Sequence, residues 1–114
     1  MKTDLAMKEL TVSLRALRAV AAEFPGLPAP AVHLSPIFPE RLELSWHDDL
    51  RAFEPWRLAL GIAHESVRFG TQSGGRTWVL KAHTDFAGAS VHLTAFGTAV
   101  STGGEGGQGG GGDA

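Results

Sequence analysis

The fold is decided by residues 66–96, which have the sequence Ser66-Val-Arg-Phe-Gly-Thr-Gln-Ser-Gly-Gly-Arg-Thr-Trp-Val-Leu-Lys-Ala-His-Thr-Asp-Phe-Ala-Gly-Ala-Ser-Val-His-Leu-Thr-Ala-Phe96. Apolar and polar residues alternate along this stretch, and a period of two is typical of strands with one buried face. Two glycine-containing turns, at Gly74-Gly75 and at Ala87-Gly88, divide the stretch into three strands. Since both turns assign the same residues to the inner face, the stretch predicts a three-stranded antiparallel meander.

The two turns also predict which residues lie opposite each other in neighbouring strands. The pairs expected on the inner face are Val67–Ala82, Phe69–Leu80, Thr71–Trp78, Ala82–Leu93 and Leu80–Ala95. The pairs expected on the outer face are Arg68–Lys81, His83–His92 and Val79–Phe96.

Composition narrows the class of protein. The 114 residues include no cysteine and carry a formal net charge of −2. The missing cysteines exclude disulfides, thiolate catalysis and zinc-finger sites, and they are compatible with the cytoplasm. A charge this close to neutral is not typical of a dedicated nucleic-acid binder. Charged residues interrupt the apolar segments near the N-terminus, so neither a signal peptide nor a membrane span is predicted.

The length suits a single domain, which we expect over residues 1–100. Residues 101–114 are rich in glycine, and residues 103–114 have no apolar group larger than alanine. Such a composition is typical of a flexible linker, so we expect a disordered C-terminal tail there.

Residues 4–24 are predicted to form a helix, which Thr3 or Asp4 would cap and Pro25-Gly26 would end. A chain start at Met7 would shorten this helix. Its inward stripe is expected from five apolar residues at helical spacing, which are Leu10, Leu14, Leu17, Ala21 and Phe24.

Residues 32–35 and 41–47 alternate as the two strands of a hairpin. The expected pairs are Val32–Leu44 and Leu34–Leu42 on the inner face and His33–Glu43 on the outer face.

A second helix is predicted to begin at Asp48 or Asp49 and to stop at Gly61. Its inner side would carry Leu50, Phe53, Trp56 and Leu60. Pro55 leaves two alternatives open: the helix kinks there, or a short turn precedes a helix that starts at Pro55 with Glu54 as its cap.

Together these elements predict an α+β fold in the order α-β-β-α-β-β-β. We expect a two-layer sandwich, in which a mostly antiparallel five-stranded sheet carries both helices on one face. The opposite, outer face of the sheet stays open, and it is where we expect a site.

The outer face of the meander holds the predicted ligand or partner site. Its residues are Arg68, Lys81, His83, His92, Val79 and Phe96. Two cations directly opposite each other destabilise a sheet by roughly a few tenths of a kcal/mol, so a nearby carboxylate of Asp85 or Glu43, or a bound anion, would offset the repulsion. A solvated polar face is the simpler interpretation of the same residues.

The histidine pair suggests a metal site only if Asp85 or His33 supplies a third ligand. No specific ligand motif is present, so we predict neither a metal site nor any other cofactor. The segment His47-Asp48-Asp49 suggests acid–base chemistry, but carboxylates at the start of a helix commonly cap free N–H groups, and we favour capping. Since phosphate-loop and nucleophile-elbow motifs are also missing, we expect a protein that is not an enzyme.

Residues 57–70 allow another interpretation, a helix-turn-helix with residues 63–70 as the recognition helix and residues 71–80 as a wing. Valine, phenylalanine and glycine make residues 67–71 a poor helix, and the same residues fit the strand register. A winged-helix DNA-binding regulator is therefore the alternative function.

Two stretches carry a resemblance to a known group of proteins. They are Pro39-Glu-Arg-Leu-Glu-Leu-Ser-Trp-His-Asp-Asp-Leu50 continuing through Leu60-Gly-Ile62, and Thr84-Asp-Phe-Ala-Gly-Ala-Ser-Val-His-Leu-Thr94. The chain resembles short uncharacterised proteins that are common in high-GC actinobacteria and their mobile elements. The resemblance spans most of residues 10–100 and implies a cytoplasmic bacterial setting, with no activity, cofactor or functional residue attached.

The function expected from the sequence is a small non-catalytic protein-interaction module that uses the outer sheet face. An exposed apolar pair, Val79 and Phe96, suits contact with a protein partner or a second copy better than a small-molecule pocket.

Overall fold

The structure of the protein is a computed structural model that describes residues 5–98. This range contains two α-helices, α1 (Thr11–Glu23) and α2 (Phe53–Ala59). It also contains five strands, which are β1 (Ala31–Leu34), β2 (Arg41–Trp46), β3 (Arg68–Gln72), β4 (Thr77–Phe86) and β5 (Ala89–Thr98). Short 3-10 segments, Met7–Leu10, Leu50–Ala52 and His64–Ser66, lead into α1, α2 and β3. The predicted α+β fold and its element order are confirmed.

The five strands form one sheet in the order β1-β2-β5-β4-β3. Strands β2 and β5 are parallel, and all other neighbours are antiparallel, so the prediction of a mostly antiparallel sheet is confirmed. The parallel contact arises because the chain passes through α2, β3 and β4 before β5 returns to the free edge of β2. Parallel neighbours need such a long connection, whereas antiparallel neighbours are joined by tight turns.

The predicted register of both hairpin systems is confirmed. Lys81 lies opposite Arg68 and Thr94, and His83 lies opposite His92. In the first hairpin, His33 lies opposite Glu43, and the flanking inner pairs are also as predicted. Ala87 and Gly88 at the β4–β5 turn have φ angles of 53° and 85°. Positive φ at both central residues is the geometry that matches the twist of a two-residue hairpin loop.

The hydrophobic core lies between the inner face of β2, β5 and β4 and the two helices. Its largest members are Leu42, Leu44, Trp46, Phe53, Trp56 and Leu93. The indole N–H groups of Trp46 and Trp56 both donate to the backbone carbonyl of Pro28, at 3.3 Å and 2.8 Å. These bonds satisfy both buried donors and hold the connector between α1 and β1 against the core.

The inward face of α1 differs from the predicted stripe. Ser13, Ala16 and Val20 are buried, while Leu14 is 39% exposed and Ala21 is exposed. The Ser13 hydroxyl donates to the carbonyl of Pro39 at 2.7 Å, which satisfies a polar group at the centre of the contact. A serine and a small alanine contribute little to the hydrophobic pattern of a helix. The pattern is dominated by the leucines, so the predicted stripe is rotated away from the face that is buried.

The region of α2 also differs in detail from both alternatives. A 3-10 turn precedes the helix, as in the second alternative, but α2 begins at Phe53 and not at Pro55. Pro55 lies in the first turn of α2, where a backbone N–H has no partner within the helix, so the proline costs no hydrogen bond. Asp49 precedes the 3-10 turn without a capping hydrogen bond from its side chain, so the predicted capping role is wrong. Glu54 pairs with the guanidinium of Arg57 instead of capping the helix.

Part of the predicted inner face is on the correct side of the sheet but is not covered. Phe69 is 61% exposed and Trp78 is 40% exposed, and Thr71 between them is exposed as well. Val32 at the opposite edge is 44% exposed. The helices cover the central strands, so apolar side chains near the two edges extend beyond the helical layer.

Two predictions fall outside the described residues. The glycine-rich tail over residues 101–114 lies there, as do the caps Thr3 and Asp4 of the first helix. No helix within residues 5–98 is long and apolar enough to cross a membrane.

Candidate functional site

The outer face of the sheet brings the predicted polar residues together. Arg68 on β3, Lys81 on β4 and Thr94 on β5 form one row across the strands. His83 and His92 form the adjacent row. The alternation of side chains along each strand places all five on the side opposite the helices.

The two histidines of this face are in direct contact. Their ring centroids are 5.0 Å apart and their planes are inclined by 14°, so the rings stack. The Nε2 atom of His92 lies 3.0 Å from the hydroxyl oxygen of Ser90. Burial lowers the pKa of His92, and the charge of nearby Arg41 lowers it further. A neutral His92 is therefore favoured, and its ring nitrogen is able to accept the hydrogen bond from the hydroxyl.

Sequence reasoning missed Arg41 as a member of the site and treated Glu43 only as a nearby carboxylate. Because β2 is the parallel neighbour of β5, Arg41 lies beside Ser90 and Glu43 beside His92. The guanidinium of Arg41 and the carboxylate of Glu43 form an ion pair at 3.4 Å. The alternation of β2 predicts that both side chains point outward. No pattern within a short stretch of sequence indicates that β2 pairs with β5, so their place in the site was not predicted.

These residues line a groove of about 390 Å³ on the outer face. Its charged and titratable lining residues are Arg41, Glu43, Arg68, Lys81, His83 and His92. The groove therefore holds three permanent cations and one carboxylate, whereas the 114-residue chain has a net charge of −2. Within residues 5–98, Glu43 pairs with Arg41, and no carboxylate lies within ion-pair distance of Arg68 or Lys81.

The predicted apolar pair of this face is not an exposed patch. Val79 lies opposite Phe96 as predicted but is only 4% exposed. Phe96 is half-buried, and its ring stacks on His47 with a centroid distance of 4.8 Å. A short valine in an interior strand has neighbours on both sides, and the longer side chains there leave it little solvent contact. The expectation that Val79 and Phe96 form an exposed apolar pair is therefore wrong.

A metal-binding role gains no support from the geometry. His33 is separated from His92 by β2, and Asp85 lies opposite Ser90, two pairs along the strands from the histidines. Within residues 5–98 no group of three or more His, Asp or Glu side chains is close enough to hold a metal ion.

The pair Ser90–His92 has the distance of a nucleophile and its base, but the arrangement lacks the other parts of such a catalytic site. Among the described residues, the Nδ1 atom of His92 has no hydrogen-bond partner that would orient the ring. The pair lies on an open sheet face, and the described residues place no helix N-terminus there to stabilise an oxyanion.

The helix-turn-helix placement is wrong. The alternative places a recognition helix at residues 63–70. In the structure residues 64–66 form a single 3-10 turn, and residues 68–72 form strand β3. The physical reason is the composition of 67–71, which favours the extended backbone that pairs with β4.

No protein-family model, no curated protein and no solved structure matches this chain. The resemblance to short actinobacterial proteins therefore stays a prediction.

Proposed function

We propose that this protein is a non-catalytic interaction module whose outer sheet face binds an acidic segment of a protein partner. The observation that carries this proposal is the row of Arg68 and Lys81, two cations that face each other across β3 and β4 with no ion-pair partner among residues 5–98.

Two like charges at directly opposed positions destabilise a strand pair by roughly a few tenths of a kcal/mol. A carboxylate placed between Arg68 and Lys81 removes that repulsion and accepts charge-assisted hydrogen bonds from both. An acidic segment thus gains attraction to each cation and also relieves the repulsion between them.

The rest of the groove supports an acidic peptide over other ligands. The ion pair of Arg41 and Glu43 leaves the positive charge concentrated at Arg68 and Lys81. The floor is a sheet face without a covering element among the described residues, which suits an extended protein segment more than an enclosed small molecule. The balance of charge on the chain as a whole is not typical of a nucleic-acid binder.

A labelled decapeptide of alternating Asp and Ser residues tests the proposal by fluorescence anisotropy. The double variant Arg68→Gln with Lys81→Gln should weaken binding about 30-fold, since each of the two lost charge-assisted contacts contributes about 1 kcal/mol. The matched control is Arg15→Gln with Arg18→Gln, which removes two exposed cations from α1.

The control should change the affinity by less than about twofold, because α1 covers the opposite face of the sheet. Equal losses in the two double variants would show only non-specific charge attraction and would contradict the proposal. Tighter binding of a DNA duplex than of the peptide at about 0.15 M salt would also contradict it.

A further inference from the structure

Strand β3 is an exposed edge of the sheet. It is the last strand in the order β1-β2-β5-β4-β3, and each of its five residues is exposed. Within residues 5–98 only β4 pairs with it. One side of β3 therefore presents backbone N–H and C=O groups to solvent, and such an edge is a template for another strand.

The two edges of the sheet differ in protection. Strand β1 has four residues, follows Pro28 and Pro30 and is followed by Pro36. Short edge strands and prolines are devices that prevent further pairing. Strand β3 has neither proline nor a covering segment among the described residues, and its glycine, Gly70, has open space around it.

An exposed aromatic pair lies beside this unprotected edge. The rings of Phe69 and Trp78 meet edge to face with their centroids 5.7 Å apart. Both lie on the helix side of the sheet, beyond the helical layer, and they are 61% and 40% exposed. A strand that pairs with β3 would extend this face and place its own side chains beside the Phe69 ring.

We propose that the β3 edge pairs with the β3 edge of a second copy of this chain, antiparallel and around a two-fold axis at Gly70. Since β3 has five residues, this register uses the whole strand. Gly70 then faces the partner's Gly70, Phe69 faces the partner's Thr71, and Arg68 faces the partner's Gln72. A two-fold axis makes each contact occur twice, as in other isologous dimers.

The side chains of β3 are complementary to themselves in this register. Arg68 meets an uncharged amide from the partner's Gln72, so no two cations are opposed across the interface. The axis passes between two glycines, where the strands approach without side-chain obstruction. On the helix side, Phe69 of each copy lies next to the partner's Thr71, so the two Phe69–Trp78 pairs lie on either side of the two-fold axis. An unrelated partner would have to supply each of these matches separately.

Dimerisation in this way goes beyond the proposed function of the outer face. It joins two five-stranded sheets into one, and it places the two cationic grooves on the same side of the joined sheet. The patch consists of one short strand and two rings per copy, which is smaller than the roughly 800 Å² per partner of a standard stable interface. The association is therefore weak and concentration-dependent.

Disulfide trapping detects a weak dimer of this kind. The chain has no cysteine, and Gly70 accepts a Cβ with no heavy atom within 4 Å. In the proposed register the two Cα atoms at position 70 are about 4.5–5.5 Å apart, which is within the range of a disulfide. The matched control is Gly26→Cys, since Gly26 is also exposed and free of neighbours.

Under mild oxidation by oxidised glutathione, with each full-length variant at equal concentration, Gly70→Cys should form the linked dimer at least ~10-fold faster than Gly26→Cys, because pairing raises the effective concentration of the two thiols. Adding Phe69→Lys to Gly70→Cys should lower the rate to that of the control. Adding Ile37→Lys, at a residue that is 62% exposed on another surface, should leave the rate high. Equal rates for the two single-cysteine variants would overturn the proposal.

A second pair of variants tests the register even if Gly70→Cys does not fold. Arg68→Cys and Gln72→Cys replace exposed side chains, and an equal mixture of the two chains should form mainly the mixed 68–72 disulfide. A statistical mixture, with half of the linked dimers mixed, would exclude this register.

Discussion

At the residue scale, burial separates side chains that the sequence pattern treats alike. Trp56 and Trp78 both occupy inward positions, but Trp56 is 3% exposed and bonded to the Pro28 carbonyl, whereas Trp78 is 40% exposed. The alternation of β4 placed Trp78 correctly on the inner face. Only the extent of the helical layer decides that its ring stays partly in solvent.

Truncation of the two tryptophans should therefore have different costs. Trp56→Ala removes a fully buried side chain and should reduce the free energy of unfolding by ~3–5 kcal/mol, while Trp78→Ala should cost about 1 kcal/mol. Urea denaturation followed by circular dichroism measures both values. A loss for Trp78→Ala as large as that for Trp56→Ala would mean that the Trp78 ring is covered.

The lowered pKa of His92 predicts a pH dependence of stability. Its folded-state pKa lies below the ordinary value of 6.5 that the unfolded chain retains, mainly because of burial. As the pH falls below that value, the unfolded state takes up the proton first, so stability decreases until the pH passes the lowered pKa. His92→Gln should remove this decrease, which sets in as the pH falls through about 6.5.

Thermal denaturation across that pH range measures the effect. His33→Gln, which replaces an exposed histidine on β1, is the matched control and should retain the decrease. An unchanged pH profile in His92→Gln would show that another group causes it.

At the scale of elements, the hairpins were predicted well and the helices less well. A hairpin register depends on a turn and on the residues beside it, so Gly88 and the alternation around it determine the pairs of β4 and β5. The buried face of α1 depends on what lies opposite, and the contact there is made by Ser13 with the Pro39 carbonyl. Such a contact is invisible to a count of apolar residues.

The β4–β5 turn contains a residue whose replacement should stabilise the fold. Ala87 has a φ of 53°, a conformation that costs a residue with a Cβ roughly 1 kcal/mol and that asparagine tolerates better. Ala87→Asn should raise the free energy of unfolding by ~0.5–1 kcal/mol. Chemical denaturation should show no comparable gain for Ala29→Asn, because Ala29 is an exposed alanine without positive φ. A gain at both positions would point to a general effect of asparagine.

At the scale of the whole molecule, the sheet has a protected centre and unequal edges. Strand β5 lies between β2 and β4 and contributes four buried core residues, more than any other strand, whereas β3 is paired on one side only among the described residues. The candidate groove spans β2, β5, β4 and β3, so its floor includes both the doubly paired strand β5 and the edge strand that carries Arg68.

Amide hydrogen exchange should follow this order. At about 1 μM, where weak self-association is negligible, amides of β5 should exchange most slowly and those of β3 among the fastest of the strands, because edge strands open without disrupting the core. Mass spectrometry of the exchanged peptides measures both. Protection of β3 equal to that of β5 at this concentration would contradict the description of β3 as an open edge.

The sequence by itself determined the α+β order, the hairpin registers and the outward placement of Arg68, Lys81, His83 and His92. These are local properties, since a turn and a period of two define which side chains share a face. The tertiary structure alone decided that β2 lies parallel to β5, which brings Arg41 and Glu43 into the site. It also decided that Val79 is shielded and that Phe69 and Trp78 are not. Which side chains are covered depends on where the helices pack, and which distant strands pair depends on the path of the chain between them. No pattern within a short stretch of sequence carries that information.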